Sequence, residues 1–175
     1  MSRILTIDQG TTSSRSIIFD KNGEVEQSAQ EEYPLIFPND GWVEIDPDVL
    51  FKSVTNTLNK LNLKNVEIGA ITNQRETTII WDKETHEPIY NAIVWQDRRT
   101  SEYCSQIASE TNKLLIKQKT GLLIDSYFSA TKIKWILDNV QGARAKAEAG
   151  KLCFGTIDTF LLFKLSKGKI FKTDI

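Results

Sequence analysis

The stretch from Arg3 to Asp20 reads RILTIDQGTTSSRSIIFD, two β-branched apolar runs flanking a turn of Gly10, Thr11, Thr12, Ser13 and Ser14. Ile- and Thr-rich runs favour strands over helices, so the segment is predicted to fold as an antiparallel hairpin. Amides and hydroxyls gathered at such a turn can converge on anionic oxygens, and Arg15 adds a cation. Asp8 stands at the mouth of the turn, where a carboxylate suits Mg²⁺ held through water. The two commoner phosphate loops are absent. No Gly-Lys pair follows Gly10, as GxxxxGK[ST] needs, and one glycine cannot make GxGxxG. Because SIIFD continues as a strand, no helix dipole serves this turn. An ordinary polar hairpin uses the same residue types, so these residues alone leave both readings open.

Outward from the hairpin, Lys21-Asn22-Gly23 makes a tight turn and EVEQSAQEEY returns as a third antiparallel strand. Pro34, Pro38 and NDGW interrupt the meander. Asp46-Pro47 then starts a helix, with Asp as N-cap and Pro in the first turn. It is expected to run from about Pro47 to Leu61, with Val49, Leu50, Val54, Leu58 and Leu61 on its core face. EIGAIT reads as a buried parallel strand, apolar on both faces.

Arg75-Glu76 follows that strand. Neighbouring strand residues point to opposite faces, so the pair can address one ligand only from irregular backbone, which is predicted here. Together they offer the donors and acceptors that neighbouring hydroxyls of a polyol require; without a ligand the same pair is a weak surface ion pair. Trp95 ends an apolar strand and suits either a pocket wall or the core. Asp97, Arg98 and Arg99 suit either support of a cleft or a plain structural role, and the favoured expectation is the second, with Asp97 capping the next helix and both arginines facing solvent. Tyr127 precedes a helix that Ser129 or Thr131 would cap, its phenol available to a ligand hydroxyl. QGARAKAEAGK reads as a surface helix stopping near Gly150. TIDTFLLFKLSKG reads as an amphipathic to fully buried helix ended by Gly168, with Asp158 in a local polar contact.

The 175 residues are 40% hydrophobic and 26% charged, enough to bury one core and fitting one domain, 1–175. Twenty-two basic residues against 23 acidic ones leave a net charge of −1, which gives no electrostatic footprint for nucleic acid or an anionic membrane. Small molecules or protein are the expected partners. Cys104 and Cys153 form no CxxC and no long apolar leader is evident, so a cytoplasmic location is expected. His86, in DKETHEP, is a loop residue ill suited to metal ligation.

Three antiparallel strands, a helix and a parallel strand form the opening of a ribonuclease-H-like unit, the half-domain of actin-like ATPases. The expected class is therefore α/β, with a mixed sheet and flanking helices. DQGTTSSR, GWVEIDP, TNQRETT, VWQDRRT, GLLIDSYFSATKIKWIL and TIDTFLLFKL occur in that order. With them, nearly the whole chain resembles the N-terminal part of the glycerol kinases, in the carbohydrate-kinase family. The resemblance implies ATP-dependent phosphorylation of glycerol to sn-glycerol 3-phosphate, with ATP and Mg²⁺ as cofactors. It implies that Thr11, Thr12, Ser13 and Arg15 hold the ATP phosphates, with Asp8 near the metal. It also implies that Arg75 and Glu76 bind glycerol hydroxyls, that Trp95 walls the carbon side and that Tyr127 meets a third hydroxyl. A homo-oligomer is open for the full protein.

One departure concerns the chemistry. The family's base lies in a GDQQ-type motif, which does not occur up to Ile175. The chain closes on Lys172-Thr173-Asp174-Ile175 without Gly or Pro punctuation. The expectation is a C-terminally truncated domain whose second, adenine-binding domain is absent, with little or no turnover of its own. The alternatives are a related sugar or polyol kinase, or a non-catalytic remnant binding glycerol or phosphate.

Overall fold

A computed structural model describes residues 2–173; Asp174 and Ile175, which enter the expectation of an abrupt end, lie outside the described residues. In chain order the elements are β1 (Arg3–Gln9), β2 (Ser13–Phe19), β3 (Val25–Glu32), β4 (Glu44–Ile45), α1 (Pro47–Asn59), β5 (Val66–Asn73), β6 (Ile79–Asp82) and β7 (Ala92–Ile93). They continue with α2 (Ser101–Ile107), α3 (Glu110–Thr120), α4 (Ser129–Asn139), α5 (Ala143–Glu148), β8 (Leu152–Gly155) and α6 (Ile157–Leu165). Two compact units result. One comprises the residues up to Ile36, Ile45–Arg75 and those from Ile157 onward; the other comprises Phe37–Glu44 and Glu76–Thr156.

The first unit is built on a four-stranded sheet of order β3-β2-β1-β5. β1 is antiparallel to β2 and β2 to β3, while β5 runs parallel to β1, the mixed sheet the sequence predicts. Gly23, at φ +84°, turns β2 into β3, and the Asp20 carboxylate accepts from the Asn22 and Glu24 N–H groups.

Asp46 caps α1 as expected, its Oδ1 accepting from the N–H groups of Asp48 (2.8 Å) and Val49 (3.3 Å). The buried face of α1 differs from the apolar list. Val49 is exposed, and Ser53 and Thr57 are buried beside Leu50 and Val54. Each hydroxyl donates to its own helix, Ser53 to Leu50 O and Thr57 to Val54 O. Each also meets a buried strand serine at 2.7 Å, Ser14 with Ser53 and Ser16 with Thr57. Since Ser53 and Thr57 have spent their protons, the β2 serines are the donors of these two pairs. Helix and strand therefore lock by matched hydroxyls as well as by apolar contact.

β5 is parallel, as predicted, but it is not buried. It pairs with β1 on one side and forms the edge of this sheet, so Ile68 stays 59% exposed. Its apolar run marks β propensity rather than a place at the sheet centre. α6 packs against β5, burying Ile157, Phe160, Leu161 and Phe163. Gly168 ends it at φ +80°, its N–H donating to Phe163 O at 2.8 Å. Asp158 accepts from Thr173 Oγ1 at 2.7 Å, the local contact expected of it.

In the second unit β6 pairs antiparallel with β8. Ile80, Ile93 and Ile136 form a core packed by Ile89, Tyr90, Ile133, Leu137 and Leu152. α5 is the expected surface helix, followed by Gly150 at φ +69°. Cys104 and Cys153 are both buried and free. Among the described residues no helix is long and apolar enough to cross a membrane.

Candidate active site

In the first unit the β1–β2 turn closes with Gly10 N–H donating to Ser13 O at 2.9 Å. Three side chains converge from behind on the Gly10 carbonyl. The amides of Gln9 (2.8 Å) and Gln74 (3.0 Å) donate to it, and so does the Tyr33 hydroxyl. All three residues are buried, and burial pushes the Tyr33 phenol up to about 12. Because a peptide unit is planar and trans, anchoring the Gly10 carbonyl inward turns the Thr11 N–H of the same peptide outward. Thr12 at the tip is exposed.

On the other side of the strands Asp8, Arg15 and Gln30 stand in register across β1, β2 and β3. Arg15 donates through Nε (3.1 Å) and Nη2 (2.7 Å) to Gln30 Oε1, and Gln30 Nε2 donates to Ser13 Oγ at 3.2 Å. A carboxylate, a guanidinium and the turn hydroxyl are thus aligned on an exposed row. Ser14 departs from the expected hydroxyl cluster. It faces the opposite side, toward Ser53, as strand alternation dictates for a residue between Ser13 and Arg15. At the end of β5 Gln74 N–H extends the ladder to Gln9 O (2.8 Å), after which Arg75 is exposed.

Glu76 opens the second unit with φ +65°, so the predicted irregular backbone at Arg75-Glu76 is present, as a turn with a left-handed residue. Its Oε2 accepts from Ser129 N–H (2.9 Å) and Ser129 Oγ–H (2.7 Å) at the start of α4. The carboxylate therefore sits at the positive end of a helix. This corrects the capping expectation: Phe128 occupies the cap position without a side-chain bond, and Glu76 does the work assigned to Ser129 or Thr131. Trp95 and Tyr127 meet edge to face with centroids 6.0 Å apart, and Tyr127 meets Phe128 at 5.1 Å. Lys132, completely buried, donates from Nζ to Tyr127 O (2.5 Å) and Glu76 O (3.2 Å). Glu76, Trp95 and Tyr127 are thus brought together within one unit.

A buried charge cluster follows Trp95 in the chain. Arg99 bonds Asp97 Oδ2 (2.8 Å) and Glu44 Oε1 (2.7 Å), all three side chains being essentially inaccessible. Its guanidinium lies 3.9 Å from the Trp42 ring centroid and 4.5 Å from that of Trp135. Asp97 also accepts from Val43 N–H at 2.6 Å, tying GWVE to VWQDRR. This overturns the expectation that Asp97 caps a helix and that both arginines face solvent. α2 starts only at Ser101, and Arg98 alone is exposed. The physical reason is that Glu44, 55 residues upstream, supplies the second carboxylate needed to bury a guanidinium.

Sequence reasoning did not single out Gln74, Tyr33, Glu44 or Lys132. The available signal for Lys132 was its helical spacing from Ile136, a lysine on an apolar stripe.

A family model described as FGGY family of carbohydrate kinases, N-terminal domain, matches residues 3–175. The chain belongs to the FGGY carbohydrate kinases. A glycerol kinase of Petrotoga mobilis is 56% identical over 177 residues, which is 98% of this chain and 36% of the relative. One from a Marinomonas strain is 55% identical over 178 residues, again 98% and 36%. The chain thus spans about a third of the length of these curated FGGY relatives. The crystal structure of Plasmodium falciparum glycerol kinase with ADP superposes with a TM-score of 0.89 at 36% identity, over 96% of this chain and 35% of that one. A ligand-bound xylulose kinase from Lactobacillus acidophilus gives 0.79 at 22% identity, covering 94% and 33%, which speaks to the fold alone. The α/β architecture with its mixed sheet is that of the actin-like ATPases, as the FGGY membership requires.

Proposed function

We propose that this chain is the N-terminal portion of a glycerol kinase, which transfers the γ-phosphoryl group of ATP to glycerol, giving sn-glycerol 3-phosphate. The observation that carries the reading is the Glu76, Trp95 and Tyr127 cluster in a chain 56% identical to a glycerol kinase. In this reading the Glu76 carboxylate accepts from glycerol hydroxyls while Arg75 donates to them, a division that matches adjacent carbons each bearing a donor and an acceptor. The Trp95 indole covers the carbon backbone and excludes water, and the Tyr127 phenol meets the third hydroxyl.

Phosphoryl transfer asks mainly for positioning and charge neutralisation. Thr11, Thr12, Ser13 and Arg15 are assigned to the ATP phosphates. Among the described residues no three His, Cys, Asp or Glu side chains group to hold a metal. One exposed carboxylate beside a phosphate loop nonetheless fits Mg²⁺, which keeps several waters and takes phosphate oxygens as ligands. Asp8 is that carboxylate, and bound Mg²⁺ would neutralise phosphate charge.

Calorimetry on residues 1–175 tests the substrate assignment. Glycerol is expected to bind, with Glu76→Gln weakening it about tenfold or more; tighter binding of a pentulose than of glycerol would overturn the assignment. With ATP, Mg²⁺ and glycerol the same chain is expected to release no ADP above background. Robust turnover abolished by Arg75→Ala would contradict that expectation.

A further inference from the structure

Lys132 shares the inner face of α4 with Ile136, and both are wholly excluded from solvent. An ammonium there has given up its hydration, which fixed acceptors must replace. The acceptors it takes are two main-chain carbonyls outside the helix, those of Tyr127 and Glu76. The first belongs to the extended segment entering α4 and the second to the left-handed turn. Neither bond is needed to satisfy α4 itself. Their effect is to fix, through one rigidly packed group, the separation of the two backbones that present the Tyr127 phenol and the Glu76 carboxylate.

We infer that Lys132 is a positioning residue for polyol binding, holding Glu76 and Tyr127 at the separation a three-carbon triol needs. This rests on the reading of those two residues as glycerol contacts. Burial lowers the Lys132 pKa to about 8, against Glu76, Asp97 and Asp125, which favour the ammonium, and with Arg99, which opposes it. The Tyr127 ring, 6.0 Å from Nζ, is the other titratable group facing it. At pH 7 the group is charged; above about 8 its bonds to the carbonyls lose their charge assistance and weaken.

The experiment is calorimetric titration of the 175-residue chain with glycerol and with 1,2-propanediol, which lacks one hydroxyl. Partial unfolding lowers the active fraction for both ligands alike, so the ratio of the two Kd values isolates positioning. The unmodified chain is expected to prefer glycerol about tenfold. Lys132→Met should bring that preference to about twofold, and Lys132→Arg, which keeps charge and donors, should restore most of it. An unchanged ratio in Lys132→Met overturns the inference. A second measurement needs no variant: between pH 7 and 9.5 the preference of the unmodified chain should fall about threefold, and a flat profile overturns the inference equally. Failure of the unmodified chain to bind glycerol would remove the functional reading and this inference with it. Binding with an unaltered ratio removes the inference alone.

Discussion

Lys132 makes an opposite demand on stability. Its folded pKa of about 8 lies below the ordinary 10.5, so between those values the unfolded chain binds more protons and stability rises with pH. Over pH 8 to 10 the rise should be about 2 to 3 kcal/mol, visible in urea titrations and missing in Lys132→Met. Tyr33, pushed up to about 12, acts in the reverse sense above pH 10 and limits the window. Arg99 offers a second test. Removing it leaves Asp97 and Glu44 as unpaired charges in a dry site, so Arg99→Met should cost about 3 to 5 kcal/mol by the same titration. The sequence could not disclose this, because local spacing placed Arg98 and Arg99 alike, and the distinguishing partners Trp42, Glu44 and Trp135 lie far off along the chain. The irregular backbone at Arg75-Glu76 was legible for a contrasting reason: neighbouring strand residues point to opposite faces, so a shared task for the pair calls for a break in the strand, and the turn at φ +65° is such a break.

The same division between local and distant information holds for elements. The β1–β2–β3 meander, the Asp46-Pro47 helix start and the Gly150 and Gly168 stops are written in neighbouring residues, and all are present. The exposure of β5 was not so encoded, since whether an apolar strand is central depends on what pairs with its second edge. Nor was the polar inner face of α1, whose Ser53 and Thr57 are intelligible only opposite Ser14 and Ser16. Ser53→Ala should cost about 1 to 2 kcal/mol by stranding the Ser14 hydroxyl, and the Ser14→Ala/Ser53→Ala double variant should recover part of it in a mutant cycle. At the end of β6, Asp82 bonds Lys146 Nζ (2.9 Å) and the Thr85 and Glu84 amides. These hold its carboxyl down at about 2, below the ordinary 3.8. The stabilisation is complete above pH 4 and is lost as pH falls toward 2. Asp82→Asn should flatten the thermal midpoint over that interval in a melting series.

For the whole molecule, the edge of the first unit's sheet carries an exposed apolar residue, Ile68. Among the described residues no strand pairs with the second side of β5, and open edges of this kind template pairing with other chains. Ile68→Lys should therefore lower self-association in sedimentation velocity without altering the melting transition. The two units are also interleaved, the first drawing α6 from beyond Thr156 to pack on β5. That order constrains biosynthesis. A ribosome completes the meander, α1 and β5 early, then must translate residues 76–156 before α6 emerges, an interval of about 4 to 16 s at about 5 to 20 residues per second. Throughout it the nascent sheet waits without its closing helix, and the face of β5 that α6 covers stays open to water until that helix arrives.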